Sequence, residues 1–297
     1  MTALLEIQAL HIDLGGGRNR KPILRGIDLE IPTGGVHGLV GESGAGKTMV
    51  GKAVLGLLPP AARIPRGSIV FDRIDITNLP ERARRHLLGS GMALIPQDPM
   101  TSLNPAIRVG DQIIDLLRVH LALDYDAART RTLELLRDVH IRHPERVLRQ
   151  YAHELSGGMR QRILIASAFA LRPKLIVADE PTTALDVTVQ RQVLRLIKEL
   201  QASVGTTILF ITHDLGVVAK ICDTVSVLHT GRVVEAGHVR TLFAWPRHPY
   251  TQALFAATPR YDRPGERLKP VPAELTAHLQ AEAAAYDRSV AWDRGHA

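Results

Sequence analysis

The chain reads Gly41-Glu42-Ser43-Gly44-Ala45-Gly46-Lys47-Thr48 directly after a predicted buried strand, Val36–Val40, and into a predicted helix, Lys47–Leu58. Its glycines let the backbone turn tightly and approach phosphate groups without a Cβ clash. The loop N–H groups and the positive helix end face the anion, Lys47 adds a charge, and the Thr48 hydroxyl suits Mg²⁺. This G-x-x-x-x-G-K-[ST] pattern predicts a nucleotide-phosphate site, but kinases, GTPases and motors share it.

Composition and charge restrict the class of protein. The 297 residues suffice for one large domain or two modest ones. The net charge of +7 is scattered rather than clustered, so nucleic acid is not expected as a partner. One cysteine, Cys222, excludes an internal disulfide and a four-thiolate cluster. The N-terminus does not resemble a signal peptide, and no stretch reaches the roughly 18 apolar residues of a membrane span. We therefore expect a soluble, cytoplasmic chain that reaches a membrane only through other proteins.

Short strands alternate with helices along most of the chain, an order typical of an α/β fold with a mainly parallel sheet. Further strands are predicted at Leu4–Leu10, Ile27–Ile31, Ser68–Phe71, Met92–Ile95, Leu175–Ala178 and Thr207–Thr212. Further helices are predicted at Gly110–Leu123, Asp126–Ile141, Gly157–Leu171, Val187–Val204, Leu215–Ile221 and, in the tail, Ala273–Tyr286. The first two of these helices predict a helical subdomain inserted between strands.

Two carboxylates, Asp179 and Glu180, end the predicted apolar strand Leu175–Ala178. Asp179 suits Mg²⁺, and Glu180 can reach a water in line with a γ-phosphate as general base or orienter. Alone, such a pair is as often structural as functional. Downstream of a phosphate loop in an α/β pattern it predicts hydrolysis, because a nucleotide kinase would not need Glu180 to handle water.

A second anion site is predicted where Leu155, Ser156, Gly157 and Gly158 precede a long apolar helix. Ser156 is a natural N-cap, and the two glycines expose the N–H groups of the first helical turn. For Ser-Gly-Gly by itself, an ordinary capped helix is the favoured interpretation. The continuation, Met-Arg-Gln-Arg up to Arg162, makes the pattern far more specific.

With these residues the chain resembles the ATP-binding cassette (ABC) ATPases. Leu155–Arg162 is similar to their signature motif, Gln97 to the glutamine of the Q-loop, Ala184–Asp186 to the D-loop and His213 to the switch histidine. The phosphate loop and the acidic pair complete six motifs in family order. The resemblance implies a P-loop NTPase core with a mainly parallel sheet, an N-terminal antiparallel β subdomain and a helical subdomain inserted at about residues 99–160. It implies an ATPase domain over residues 1–260 and leaves the tail, 261–297, without a role.

The resemblance also implies roles for single residues. Gly41–Thr48 would bind the phosphates of ATP, and Thr48, Gln97 and Asp179 would surround Mg²⁺. Gln97 would also contact the attacking water and report the nucleotide state to the membrane partner. The family's aromatic residue for stacking on adenine has no counterpart between His11 and Asp28, so an aliphatic, His or Arg contact is expected instead.

The remaining motifs are expected to act in hydrolysis and pairing. Glu180 would activate the water, and His213 would hold the γ-phosphate, although a lone histidine at a strand end is also a common surface residue. Ser156, Gly157 and Gly158 would close over ATP that is bound by an opposing cassette.

Two segments narrow the kind of cassette. Gln97–Pro105 and Arg247–Leu254 are similar to segments of oligopeptide, dipeptide and nickel importer ATPases. That resemblance implies a second ABC ATPase subunit, a paralogue, as well as two membrane permease subunits and an extracytoplasmic substrate-binding protein. It places the chain peripherally on the cytoplasmic face of the inner membrane. Many such ATPases add a cysteine-rich segment for an iron–sulfur cluster, but no cysteine follows Pro259, so no cluster is expected.

A soluble ABC ATPase of repair or translation is the alternative function. Repair proteins of this class carry a long coiled coil between the Q-loop and the signature, whereas Gln97 to Ser156 leaves room only for a small subdomain. Translation factors carry two cassettes, and this chain has one. A P-loop kinase would explain neither the signature motif nor His213.

Overall fold

The computed structural model describes residues 3–16, 20–183, 185–258 and 270–289. These residues form two compact units. The first contains the chain up to Leu79 together with the residues from Ile211 onward, and the second contains Pro80–Phe210. No helix among the described residues combines the length and apolar character that crossing a lipid bilayer requires.

The elements alternate between strand and helix through much of the chain. The strands are β1 Ala3–Leu14, β2 Lys21–Pro32, β3 Val36–Val40, β4 Ala62–Phe71, β5 Ile74–Asp75, β6 Met92–Ile95, β7 Leu175–Asp179, β8 Thr207–Thr212, β9 Thr224–His229 and β10 Arg232–His238. The helices are α1 Lys47–Val54, α2 Glu81–Ser90, α3 Val109–Leu121, α4 Tyr125–Asp138, α5 Pro144–Val147, α6 Gly157–Phe169, α7 Val187–Val204, α8 Leu215–Ile221, α9 Val239–Ala244, α10 Pro249–Ala256 and α11 Ala273–Ser289. A short 3₁₀ helix spans Ala152–Glu154.

The first unit contains an antiparallel sheet in the order β2-β1-β4-β5. In its centre Leu5 of β1 faces Ile31 of β2 and Phe71 of β4, and all three side chains are buried. The same unit holds β3 in parallel with β9, which in turn pairs antiparallel with β10. A core cluster that includes Val40, Val218, Tyr250 and Leu279 brings these strands together with α8, α10 and α11. The phosphate loop is therefore preceded by a strand, β3, whose five residues are all buried.

The second unit is built on the parallel strands β6 and β7, with the first part of β8 beside β7. Helices α3 to α6 connect β6 to β7. Helix α4 has an apolar face that packs inward, because Leu133, Leu136 and the following Val139 are all buried. Asp124 caps α4 by accepting the Ala127 N–H at 2.8 Å.

Four predicted helices end earlier than the sequence suggested. Helices α1, α3, α4 and α6 stop before Gly56, Ala122, His140 and Arg172, which adopt φ values of 65°, 52°, 58° and 50°. A residue in the left-handed conformation terminates a helix. Three of the four are not glycine, so the sequence carried no signal for them. Helix α8 ends at Ile221, and Cys222 is its C-cap residue.

The predicted helices α7 and α8 and the strand β8 are confirmed at both ends. The predicted tail helix is confirmed and extends to Ser289. Strands β9 and β10 were not predicted. The sequence signal for them is the turn Thr230-Gly231 between Thr224–His229 and Arg232–His238, which makes a hairpin.

His37, in β3, is buried beside two hydroxyl groups of β9. Its Nδ1 lies 2.8 Å from Thr224 Oγ1 and its Nε2 lies 3.0 Å from Ser226 Oγ. Burial lowers the pKa of His37 to about 4. The neutral imidazole can donate to one hydroxyl and accept from the other, so the strand that leads into the phosphate loop depends on an uncharged histidine.

We predict that His37 makes the protein sensitive to mild acid. In the unfolded chain this group is protonated below its ordinary pKa of about 6.5, whereas in the folded chain it stays neutral down to about pH 4. The unfolded state therefore binds more protons, and stability falls as the pH drops from about 6.5 towards 4. Between about pH 7.5 and pH 5 the loss is about 2 kcal/mol.

Urea unfolding at these two pH values measures the effect. His37→Gln should lose about 2 kcal/mol less than the wild type on acidification. His278→Gln is the matched control, because the His278 side chain is 69% exposed on α11, and it should follow the wild type. The same pH dependence in His37→Gln and in the wild type would contradict this assignment.

Candidate functional site

The phosphate loop is shaped by two glycines that no other residue can replace without strain. Gly41 has a φ of 153°, and a Cβ there would overlap the carbonyl oxygen of Leu228 at the end of β9. Gly46 has a φ of 105°, and a Cβ there would lie 2.7 Å from Leu24 Cδ2 of β2. Neighbouring strands therefore hold both ends of the loop at close range, which fixes the path of its backbone.

Helix α1 begins directly after this loop and presents Lys47. Gly46 has no side chain to cap the helix, and the first turn contains no acidic residue, so no carboxylate of that turn competes for the positive helix end. The Lys47 side chain is 5% exposed, and its Nζ donates to the carbonyl oxygens of Gly41 at 2.8 Å and of Glu42 at 2.9 Å. The ammonium group is thus held against the loop before any phosphate arrives.

Tyr250 supports the loop from α10. Its side chain is fully buried, and its hydroxyl accepts the backbone N–H of Glu42 at 3.4 Å. The ring lies 4.1 Å from the His229 ring, centroid to centroid. Burial, followed by the nearby Glu42 carboxylate, raises the pKa of Tyr250, so the hydroxyl stays protonated.

Glu235 of β10 anchors the segment that carries Tyr250. Its two carboxylate oxygens accept the N–H groups of Arg247 at 2.8 Å and of His248 at 3.1 Å. The segment Arg247–Leu254 was singled out from the sequence only as a class marker. In the structure this segment places Tyr250 against the phosphate loop. No spacing in the sequence indicated that contact.

In the second unit, the structure brings Gln97 and Glu180 together. Gln97 Nε2 donates to Glu180 Oε2 at 3.1 Å, and Thr183 Oγ1 donates to the same oxygen at 3.0 Å. Glu180 follows β7 with a φ of 46°, a conformation that costs a non-glycine residue energy and that is frequent at functional sites. The carboxylate is therefore oriented by two donors from different loops.

The loop after Gln97 is ordered by Asp98. Its carboxylate accepts the Met100 N–H at 2.7 Å and the Thr101 hydroxyl at 2.8 Å, and the Met100 N–H is the main reason that the pKa of Asp98 is lowered. Met100 is 55% exposed, whereas Leu103 is 5% exposed. Of these two apolar residues, only Met100 presents a surface to another protein.

Arg160 links this loop to the signature helix, α6. The side chain is buried, its Nε donates to the Leu155 carbonyl at 3.1 Å, and one of its terminal nitrogens lies 3.3 Å from Met100 Sδ. The predicted motif included this arginine without giving it a role. Its contacts couple the exposed methionine to the start of α6 within the second unit.

The signature residues form the N-terminus of α6 as predicted. Ser156 caps the helix and accepts the Met159 N–H at 3.4 Å. A Cβ on Gly157 would meet no atom within 4 Å, whereas one on Gly158 would lie 3.2 Å from Val189 Cγ1. The first turn of α6 at Gly157 therefore faces open space at the surface of this chain, and an anion can approach it there.

The remaining predicted residues lie at strand and helix ends. Asp179 is the last residue of β7 and is 9% exposed. His213 is exposed and directly follows β8, and Asp214 after it caps α8 by accepting two N–H groups. Ala184 of the predicted D-loop lies outside the described residues, while Asp186 caps α7. Within the described ranges, no cluster of three or more His, Cys, Asp or Glu side chains could hold a metal ion by itself.

Comparison with protein family models identifies the family of this chain. Residues 24–183, more than half of the chain, match the family model described as "ABC transporter". The chain belongs to the ABC transporter family. A second model, described as "Oligopeptide/dipeptide transporter, C-terminal region", matches residues 234–284, which include α10 and most of α11.

Relatives of this ABC chain are peptide transport proteins. It is 45% identical over 278 residues to the oligopeptide transport ATP-binding protein OppD of Bacillus subtilis, covering 93% of this chain and 76% of OppD. It is 43% identical over 270 residues to the dipeptide transport ATP-binding protein DppD of Escherichia coli, covering 91% of this chain and 83% of DppD.

Solved structures confirm the predicted fold and ATPase class of the ABC chain. An ATP-binding cassette solved as a dimer in a post-hydrolysis state, bound to ADP and Pi, is 25% identical with a TM-score of 0.71, covering 80% of this chain and 99% of that one. The cbiO1 protein of Clostridium perfringens, part of an ABC transporter complex, is 29% identical with a TM-score of 0.70, covering 82% and 92%.

Proposed function

We propose that the chain is the ATP-hydrolysing subunit of an importer for peptides. The observation that carries this proposal is the match of residues 234–284 to the oligopeptide/dipeptide transporter region. It gains physical support from Tyr250, which lies in that region and contacts the phosphate loop. The transport names of the relatives favour this function over repair or translation. Nickel complexes, the other cargo expected from the sequence, find no specific support among these names.

Binding of ATP is assigned to the loop Gly41–Thr48. Its N–H groups and the end of α1 receive the phosphates, and Lys47 exchanges its carbonyl partners for phosphate oxygens. Thr48, Gln97 and Asp179 offer only hard oxygen atoms for a metal, the donors that Mg²⁺ prefers in sites it shares with phosphates. When bound, Mg²⁺ would neutralise charge on the β- and γ-phosphates.

Hydrolysis is assigned to Glu180. Its carboxylate accepts a proton from a water molecule, whose oxygen forms a bond to the γ-phosphorus as the bond to the β–γ bridging oxygen breaks. The products are ADP and inorganic phosphate. Gln97 orients Glu180 and contacts the water, and His213 holds the γ-phosphate.

The open helix end at Ser156, Gly157 and Gly158 is assigned to the ATP of an opposing cassette. The paired cassettes would comprise this chain and a paralogue, on the cytoplasmic face of the inner membrane. The pairing of the cassettes would change the conformation of two permeases, and an extracytoplasmic binding protein would deliver the peptide to them. In this assembly the exposed Met100 would contact a permease.

Reconstitution of the complete transporter in vesicles tests the function. The wild-type complex should take up peptide only with ATP, and absence of such uptake would overturn the proposal. In Met100→Ala, we expect peptide uptake to fall about fivefold or more while basal ATPase activity changes less than twofold, because the contact to the permease is weakened but Glu180 is untouched.

Val119→Ala is the matched control for that variant. Val119 is 77% exposed on α3 of the same unit, and its substitution should change neither uptake nor ATPase activity. Equal losses of uptake and ATPase activity in Met100→Ala would show that this methionine acts in hydrolysis rather than in coupling.

A further inference from the structure

The backbone of Glu42, in the phosphate loop, is contacted by two side chains from different elements. Lys47 Nζ donates to the carbonyl oxygen of Glu42 at 2.9 Å and to that of Gly41 at 2.8 Å. The Tyr250 hydroxyl accepts the Glu42 N–H at 3.4 Å, and the Glu42 carboxylate is a second hydrogen-bond partner of the same hydroxyl. The start of the loop is therefore held by a side chain of α1 and by a side chain of α10.

The two contacts differ in how they respond to a nucleotide. The Lys47 ammonium group has three N–H donors, and phosphates compete for them because charge-assisted bonds to phosphate are stronger than bonds to neutral carbonyls. Tyr250 stays neutral, because burial raises the pKa of its hydroxyl, and its hydrogen-bond partners belong to Glu42 rather than to a ligand. The contact from Tyr250 is thus the one that can hold Glu42 both before and after ATP binds.

The Tyr250 ring has little freedom to move. The side chain is fully buried and belongs to the core cluster that contains Val40, the last residue of β3, and Leu279 of α11. The ring also packs against the ring of His229, the last residue of β9, with a centroid distance of 4.1 Å. The hydroxyl therefore keeps a defined position relative to the strand that leads into the phosphate loop.

The start of α10, which carries Tyr250, is itself held by side chains. His248 caps this helix, because its Nδ1 accepts the Tyr250 N–H at 3.1 Å. Glu235 of β10 in turn accepts the N–H groups of Arg247 and His248. Hydrogen bonds thus lead from Glu235 to the backbone of Tyr250, so Glu235 can influence the phosphate loop through the placement of the tyrosine.

We propose that Tyr250 is a positioning residue for ATP binding: its hydroxyl holds the Glu42 N–H and so preserves the path of the phosphate loop when Lys47 exchanges its carbonyl partners for phosphate oxygens. Tyr250 touches neither ATP nor the reacting atoms. The inference rests on the proposed binding of ATP by Gly41–Thr48. It gives the C-terminal region a direct effect on nucleotide affinity, while the hydrolytic step stays with Glu180 of the second unit.

Tyr250→Phe tests the hydroxyl alone, because it retains the ring and with it the core packing. We expect ATP and inorganic tripolyphosphate to bind about threefold or more weakly by calorimetry, since one hydrogen bond that orders the loop is lost. In the assembled transporter, the KM for ATP should rise by a similar factor, while kcat at saturating ATP changes less than twofold.

Glu235→Ala tests the hydrogen bonds that lead to Tyr250. It should weaken ATP binding in the same direction as Tyr250→Phe. Combining the two substitutions should add little further loss, because both act through the same hydroxyl. Fully additive losses would show that Glu235 does not act through Tyr250.

Tyr286→Phe is the matched control. The Tyr286 hydroxyl of α11 also makes a hydrogen bond, 3.1 Å from His11 Nε2, but this partner lies on β1 rather than in the phosphate loop. This variant should bind both ligands like the wild type. In the ligand-free chain, the Glu42 amide should exchange its hydrogen faster in Tyr250→Phe than in the wild type, and Tyr286→Phe should leave that exchange unchanged.

The outcomes separate this proposal from the proposed function. Wild-type affinity for both ligands in Tyr250→Phe, or an equal loss in Tyr286→Phe, would overturn the positioning role. A lowered kcat with an unchanged KM in Tyr250→Phe would overturn it as well. Failure of the wild type to bind either ligand would instead refute ATP binding by the phosphate loop.

Discussion

Glu180→Gln is expected to lower the rate of ATP hydrolysis by at least about a hundredfold, because an amide cannot accept the proton of the attacking water. The substitution conserves size, and the amide oxygen can still accept from Gln97 and Thr183, so the fold and ATP affinity should be retained. The turnover number of the assembled transporter measures the effect. An unchanged rate would show that another group is the base.

The same variant should trap paired cassettes. With hydrolysis blocked, ATP remains between the phosphate loop of one cassette and the signature residues of the other, so the pair should persist in solution. Light scattering with ATP, on this chain alone and with its second cassette, tests this. Glu199→Gln is the control, because Glu199 lies on α7 in an exposed pair with Arg195 and should retain normal turnover. A Glu180→Gln chain that stays monomeric in both mixtures would refute pairing.

Local patterns were sufficient for the elements that carry the motifs. Val36–Val40 is buried throughout and is followed by glycines, and Ser156 and Asp186 are strong helix caps, so strand, loop and helix starts agree with the structure. These features depend on neighbours in sequence, which is why a single sequence reveals them. The motif order then predicted the family without any knowledge of distances, and the match of residues 24–183 to the family model confirmed it.

Contacts between distant residues could not be predicted in this way. Arg25 and Asp287 are 262 positions apart, and Glu42 and Tyr250 are 208 apart. Neither pair has a spacing or a motif that would distinguish it from other charged or aromatic residues. The tail was consequently left without a role, although its helix was predicted, because a helix pattern does not specify the surface that the helix packs on.

Lys47→Ala is expected to weaken ATP binding by at least about a hundredfold, because contacts of an ammonium group with phosphates are charge-assisted and together contribute roughly 3 kcal/mol or more. The substitution also removes the donor that holds the carbonyls of Gly41 and Glu42, so the loop should lose its prepared geometry. Calorimetric titration with ATP and with tripolyphosphate measures the loss, and both ligands should be affected alike.

Lys52→Ala separates this local effect from the overall charge. Lys52 is exposed on the same helix, α1, and its removal changes the net charge by the same amount. If long-range attraction dominated ATP binding, both variants would weaken it similarly, and the effect would fall steeply with salt. If the loop geometry dominates, Lys52→Ala binds ATP like the wild type at every salt concentration, and only Lys47→Ala fails. Wild-type affinity in Lys47→Ala would remove the phosphate loop from the ATP site.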